Sequence, residues 1–325
     1  MKNILFICPN WAGLAEPIVR EMRRQGHEVV HLDHSDFSSF KYFGTFHRVM
    51  AKIYQLATKD NYKHRLTNAE VSRTIESFFI ARKKFDAIIL TEPNFFQREH
   101  LKLFKRYCEN LVATFWDSLT KSPENTNNLD IFDIVFSYDD EDCDTYNLIK
   151  INNYLDPVWM TDVAFDNAKY DVFSIMSYTK ERYKQVVKFL DANPNILPNI
   201  YFYIDHPRKR QAIKDKRIKV TERLILGEEL KINIEQSKSI LDLLQGYQSG
   251  LSFRVYESIG YKRKIITTNQ NIRNYDIFSS ENMMVLHDSY HVPEKFFLRS
   301  YVDLEPRLLK PYLISSWVKN VLDKL

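Results

Sequence analysis

Hydrophobic positions along this chain gather in short unbroken runs separated by polar turns. NILFIC (3–8) opens the series, and FDAIIL (85–90), NLVATFW (110–116) and FDIVFSY (132–138) continue it. Runs that are apolar at successive positions, rather than alternate ones, predict strands buried on both faces, as in a parallel sheet. Between them the spacing lengthens. After a turn at PNWAG, residues Glu16 to Gln25 predict a helix that stops at Gly26, a residue suited to the left-handed C-cap position. HEVVHLD follows as a strand, and a further helix is expected around 97–108. Strand and helix thus alternate through the first 150 residues, which predicts an α/β domain with a parallel sheet.

The pattern then restarts. YDVFSIMS (170–177) is a new strand, TKERYKQVVKFLDAN an amphipathic helix and NIYFYID the next strand. KRIKVTERLI and residues 228–236 lead into SILDLL, and IITT and NMMVLH (282–287) are later strands. The closing stretch, LEPRLLKPYLISSWVKNVLDKL, predicts one or two helices. Two Rossmann-like halves joined near Asn153–Asp162 account for this order, with domains at 1–155 and 156–305 and a C-terminal helix at 306–325. A ligand of such a fold is expected at the carboxyl ends of the strands, in a cleft between the halves.

Residues 237–269 carry the most chemistry. SILDLL leads into a loop with Gly250, and a helix is predicted from about Ser252 with Arg254 and Glu257 one turn apart. A helix start offers unsatisfied N–H groups and the positive end of the dipole, both favourable to phosphate. Arg254 can add a charge-assisted bond and Glu257 can accept from sugar hydroxyls. The plain alternative for that pair is an exposed i,i+3 ion pair worth little. Arg182 falls in the first turn of its predicted helix, where a cation opposes the dipole; a phosphate role explains that placement better than solvation does, with Lys180 as the weaker substitute.

Composition narrows the reading. Among 325 residues there are 7 glycines, and neither a G-x-G-x-x-G nor a G-x-x-x-x-G-K-[ST] pattern occurs, which argues against a dinucleotide fingerprint or a P-loop. The net charge of +4 demands no nucleic acid. Cys8, Cys108 and Cys143 lack C-x-x-C spacing and are expected to be reduced thiols of a cytoplasmic protein. No apolar run reaches membrane-spanning length. MKNILFICPNW is expected to be a core strand rather than a signal peptide.

These residues also carry a family resemblance. FWDS (115–118), FDIVFSYDDEDC (132–143), YDVFSIMSYTKERY (170–183), the whole of 237–276 and the closing PYLISSWVKNVL resemble GT-B-class glycosyltransferases of bacterial capsule, exopolysaccharide and lipopolysaccharide-core synthesis. The resemblance departs at Gln245–Gly246, where such sequences more often carry His–Pro. It implies two Rossmann-like domains, an acceptor half followed by a donor half, with the last helix crossing back to the first. It implies a nucleotide-diphosphate sugar as donor, a saccharide or lipid-linked saccharide as acceptor, and no resident cofactor. By position, Ser249, Gly250, Leu251 and Ser252 would offer backbone and hydroxyl donors to the diphosphate, Arg254 and Arg182 would neutralise it, and Glu257 would hold the ribose. Enzymes of this class generally need no divalent metal, because helix dipole and basic side chains stabilise the leaving diphosphate.

Inversion at a sugar carbon would need a base, for which Asp117 at the end of a strand is the first candidate. Glu92 in TEPN is the second and Glu16 a distant third. A turn or N-cap aspartate is the plain reading of Asp117. The run Asp139, Asp140, Glu141, Asp142 and Asp144 contains D-x-D twice; a manganese site is one reading, and a solvated helix start is the favoured one. The histidines show no ligand spacing. Residues 37–65 interleave aromatics with Lys and Arg. They read slightly better as core aromatics with a wet charged face than as a surface touching the inner membrane, and nothing else supports nucleic acid. Two other functions fit the same residues: a sugar-nucleotide epimerase of the same two-domain fold, and a non-catalytic sugar-nucleotide-binding scaffold.

Overall fold

The computed structural model describes residues 1–10, 13–37, 41–59, 61–80, 82–244, 246 and 248–325. Trp11 and Ala12 of the expected turn, Phe40 of the aromatic–basic stretch, and Gln245 of the Gln245–Gly246 departure lie outside them. The chain divides into two units. One comprises Met1–Ser137, Asp142–Lys150 and Val321–Leu325, the other Tyr138–Glu141 and Ile151–Asn320.

The first unit holds six strands: β1 (Asn3–Ile7), β2 (Glu28–Leu32), β3 (Phe85–Thr91), β4 (Cys108–Phe115), β5 (Ile134–Ser137) and β6 (Ile149–Lys150). They form one sheet in the order β2-β1-β3-β4-β5-β6, and every pairing is parallel. Its helices are α1 (Ala15–Arg24), α2 (Thr45–Thr58), α3 (Tyr62–Phe79) and α4 (Arg98–Arg106), with α5 (Asp140–Tyr146) beginning at the unit boundary. Each predicted run became a strand because it had somewhere to hide on both faces: Ile4 to Ile7 and Ala87 to Leu90 are fully buried. Gly26 follows α1 at φ +88°, the left-handed geometry expected of it. The core beneath the sheet is strongly aromatic. Phe96 and Phe104 meet edge to face at 5.1 Å, and Phe37 meets Phe96 at 5.2 Å. Such pairs add roughly 0.5–1.5 kcal/mol each beyond area burial.

The second unit holds β7 (Tyr170–Ser177), β8 (Pro198–Tyr203), β9 (Ile218–Thr221), β10 (Ser237–Asp242), β11 (Lys264–Thr267) and β12 (Met283–Val285). Their order is β12-β11-β10-β7-β8-β9, again all parallel. Helices α6 (Lys180–Ala192), α7 (Gly227–Glu235), α8 (Phe253–Gly260), α9 (Glu294–Leu298), α10 (Pro306–Leu309) and α11 (Ile314–Leu322) complete it, although the last two residues of α11 group with the first unit. One apolar cluster gathers Phe173, Ile240, Val255, Tyr256 and Ile265, and a second gathers Val172, Phe189, Phe202, Leu241 and Ile266. Alternate residues of β7 and β10 enter different clusters, so the sheet is covered on both faces, which is why its strands read as continuous apolar runs.

Two elements depart from expectation. The strand β6 has only two residues, too few to leave a periodic signal. The aromatics of 37–65 divide: Phe37 is core, but Phe43 is 97% and Phe46 78% exposed. Among the described residues, no helix is long and apolar enough to cross a membrane, and Cys8, Cys108 and Cys143 form no disulfide.

Candidate functional site

Each sheet has one point where the chain reverses its direction of growth, and there the loops part to leave room for a ligand. In the second sheet that point lies between β7 and β10, since β8 and β9 extend one edge while β11 and β12 extend the other. Arg182 comes from α6 after β7, and Arg254 and Glu257 from α8 after β10. The residues singled out from the sequence therefore belong to the two strands that flank the switch point.

At the end of β10 stands Asp242, which sequence reasoning had passed over as part of an apolar strand. It is buried, and Thr267 at the end of β11 donates its hydroxyl to Asp242 Oδ2 at 3.0 Å. Burial pushes its carboxyl above the ordinary range, while the neighbouring Ser252 and Thr267 hydroxyls and the Arg254 and Arg182 guanidinium groups pull it back. Glu257 is likewise buried and likewise pushed up. Arg254, which donates Nη1–H to Glu257 Oε2, opposes that push, and Asp242 adds to it. Two guanidinium groups and two buried carboxyls thus share the start of α8. The missed signal was available: a charged residue inside a six-residue buried strand needs a partner. Arg182 is held where it is by Thr179, whose Oγ1 caps α6 by accepting the Arg182 N–H at 3.1 Å. Lys180, the first residue of that helix, is exposed.

The loop before α8 is arranged differently from expectation. The Ser249 and Gly250 N–H groups, expected to face a diphosphate, donate to Asp139 Oδ2 at 2.6 and 3.4 Å. In return Ser249 Oγ accepts from the Asp140 and Glu141 N–H groups at 2.7 and 3.3 Å. The carbonyls are also taken up: Asn271 Nδ2 reaches Ser249 O at 3.3 Å, Asn269 Nδ2 reaches Gly250 O at 3.0 Å, and Asn153 Nδ2 reaches Leu251 O at 2.9 Å. Leu251 itself is core. Gly250 is glycine for a reason other than ligand access, because a Cβ there would overlap the carbonyl oxygen and ring of Tyr138. Of the four loop residues, Ser252 at the N-cap of α8 is the one beside the charged cluster.

The acidic run is explained by the same contacts. Asp139 is a buried acceptor for the loop, Tyr275 donates its hydroxyl to Asp140 Oδ2 at 3.4 Å, and Asp142 Oδ2 accepts from the Leu119 N–H at 2.8 Å. Among the described residues, no three of His, Cys, Asp and Glu converge as metal ligands would.

In the first sheet the switch point lies between β1 and β3, and Glu92 is the residue after β3. It sits at φ +50°, an uncommon conformation for a side chain that costs of order 1–3 kcal/mol and persists only where its surroundings hold it. Burial pushes its carboxyl up to about 7; the charge of Asp117 adds to the push, and the Trp116 and Asp117 N–H groups and Lys121 oppose it. Asp117, one strand over at the end of β4, is paired with Lys121 Nζ at 2.6 Å and is about one-third exposed. The structure thus brings the two predicted carboxyls together and makes them unlike: one ion-paired, the other able to gain and lose a proton near neutrality. Glu16 stands exposed in the first turn of α1. His34, stacked on Phe95 at 5.1 Å, is held down to about 4 by burial and stays neutral. A separate concavity of about 580 Å³, lined by Leu155, Met160, Ile259, Leu309 and Leu313, lies at the opposite end of α8 from Arg254.

With this geometry in view, the similarity to solved structures is informative. A glycosyltransferase involved in avilamycin A biosynthesis, AviGT4, is matched at a TM-score of 0.62 and 9% identity over 100% of this chain and 97% of the other. An α-glucosyltransferase in complex with UDP and DNA is matched at 0.53 and 12%, over 99% and 90%. The UDP-GlcNAc 2-epimerase of Neisseria meningitidis bound to UDP-GlcNAc is matched at 0.51 and 11%, over 99% and 99%. No protein-family model and no curated protein matches the chain. At such identities the likeness is one of fold, and the fold is GT-B, two parallel α/β units each with a six-stranded sheet.

Proposed function

We propose that this protein is a glycosyltransferase that moves a sugar from a nucleotide-diphosphate donor to a saccharide acceptor in bacterial surface polysaccharide synthesis. The observation that carries the reading is the cluster of Arg182, Arg254, Glu257 and Asp242 at the switch point of the second sheet. Two guanidinium groups beside a helix start suit a diphosphate, and their charge together with the helix dipole stabilises the leaving group without a metal. Glu257 accepts from ribose hydroxyls. The donor belongs to the second unit and the acceptor to the first, where Glu92 and Asp117 are the candidates for proton transfer and acceptor binding. Ser252 contributes at the N-cap of α8, whereas Ser249, Gly250 and Leu251 shape the loop that presents it.

Solved structures of the same fold with UDP or UDP-GlcNAc bound support a uridine nucleotide as the first donor to try. A thermal-shift panel of nucleotides and nucleotide sugars tests the reading. A ligand at 100 times its Kd stabilises the folded state by about 2.7 kcal/mol, and Arg254→Ala is expected to erase that gain and abolish transfer. The variant itself should lose about 1–3 kcal/mol because Glu257 loses its buried partner, so the ligand-induced shift is read against the variant's own melting curve. Unchanged turnover in the variant would sink the assignment. A second reading, a sugar-nucleotide epimerase, is favoured by the Glu92–Asp117 pair, since one carboxyl that titrates near neutrality can take a proton from a sugar carbon and return it. Incubating the enzyme with the nucleotide sugar alone separates the two: an epimer forming without acceptor selects the second. The chain is proposed to work in the cytoplasm.

A further inference from the structure

Helix α2 is amphipathic in the wrong direction for a part of the core. Its inward face, His47, Ala51 and Tyr54, rests against α3 through ring contacts of His47 and Tyr54 with Tyr62 at 5.7 and 5.2 Å, and Arg65 Nη1 donates to Tyr54 Oη at 2.9 Å. Only Ala51 on this helix is fully buried. The opposite face carries Phe46, Val49, Met50, Ile53 and Leu56, from 47% to 78% exposed. Their spacing of three and four residues puts them on one stripe about 15 Å long at 1.5 Å per residue. Such a contiguous apolar stripe is uncommon on a water-facing surface and marks an interaction site.

The charge around it indicates the partner. Residues 41–65 contain Lys41, Arg48, Lys52, Lys59, Lys63 and Arg65 against a single acid, Asp60. Arg48 and Lys52 lie on one flank of the stripe by helical spacing and are exposed. A like-charged face disfavours meeting its own copy. An apolar stripe edged by cations is what an interfacial helix needs: side chains to enter the acyl boundary and ammonium or guanidinium groups to meet headgroup phosphates. We propose that α2 docks this protein on an anionic lipid bilayer, lying in the plane of the interface with Phe46, Ile53 and Leu56 inserted. This corrects the expectation that the aromatics of 37–65 would mostly be core, and it stands independently of the reaction the protein catalyses.

Sedimentation of the full chain with vesicles tests it. Vesicles of phosphatidylcholine and phosphatidylglycerol are expected to carry the protein down, pure phosphatidylcholine vesicles far less, and raised salt should release it by screening. The exposed-site double variant Phe46→Ser/Ile53→Ser should weaken binding by about tenfold or more. Lys52→Gln should weaken it by about fivefold. Both should keep the wild-type melting curve. Equal binding to neutral and anionic vesicles, no binding to either, or undiminished binding of the double variant overturns the proposal. So does a lipid-free dimer, seen in sedimentation velocity, that the double variant abolishes; the stripe would then be an interface between copies.

Discussion

Replacing Glu92 by glutamine should make the protein more stable, and only above a definite pH. A carboxyl held at about 7 instead of its ordinary 4.5 binds its proton more tightly in the folded than in the unfolded chain. Below pH 4.5 both states are protonated and the site costs nothing. As pH rises from 4.5 to about 7 the unfolded chain ionises first and stability is lost; above 7 the loss is complete. At about 1.4 kcal/mol per tenfold change in proton affinity, the full penalty is about 3 kcal/mol. Glutamine keeps the carbonyl oxygen that accepts from Trp116 and Asp117 and the same backbone geometry, but cannot ionise. Glu92→Gln should therefore match wild type near pH 4.5 and exceed it by up to about 3 kcal/mol near pH 8.5, a gain of several degrees in Tm for a unit of this size. Urea or thermal unfolding at the two pH values measures it. A stability difference that does not change with pH, or a variant less stable at pH 8.5, would refute the account of Glu92 as a carboxyl destabilised by burial. If Glu92 also serves the reaction as its base, the alkaline-rising limb of kcat/KM should have its midpoint near 7 and vanish in the variant.

Three further outcomes follow from the same geometry. Asp117→Asn removes a partly exposed ion pair and should change stability by no more than about 1 kcal/mol, yet it removes the charge beside Glu92, so the Glu92 midpoint, followed by NMR titration, should fall; full activity would take Asp117 off the list of reacting groups. Gly250→Ala drives a methyl group into the Tyr138 backbone and ring, where the carbonyl cannot yield as a side-chain tip could, and should cost about 1–3 kcal/mol in urea unfolding. Thr267→Val deletes the hydroxyl that donates to Asp242 and leaves a buried carboxyl short of a partner, for about 1–3 kcal/mol; wild-type stability in that variant would mean Asp242 is satisfied by its other neighbours alone.

What the sequence made legible was what repeats locally. Runs such as FDAIIL and YDVFSIMS can be read because burial on both faces of a parallel sheet leaves no alternation. Arg254 and Glu257 can be read because one helical turn separates them. Asp242 was hidden by its company: five neighbours that spell a buried strand outweigh one acid, and its partners Thr267, Arg182 and Arg254 lie 25, 60 and 12 positions away. Asp139 was seen but misplaced, since its acidic neighbours suggested a solvated helix start while its actual partners are N–H groups 110 and 111 positions further on. Phe43 and Phe46, read as core aromatics, are exposed, because composition shows that a segment is aromatic without showing which way each ring turns.

The Asp139 contact also changes what the glycine in the loop means. A glycine between a strand and a helix is commonly there so that a phosphate can approach the backbone. Here the short connection between β5 and α5 makes that approach, with the Asp139 carboxylate in the position an anionic ligand would occupy and with Tyr138 filling the space a side chain would need. The loop is therefore fixed before any donor arrives. Under the function proposed above, anion binding falls to the groups one step further along, at Ser252, Arg254 and Arg182, where the start of α8 and two guanidinium groups converge. Because Asp242 and Glu257 already balance those two cations, a diphosphate entering the cluster competes with buried carboxyls whose proton affinities are raised. Its added negative charge raises them further, so donor binding should draw a proton onto the site rather than simply add charge to it.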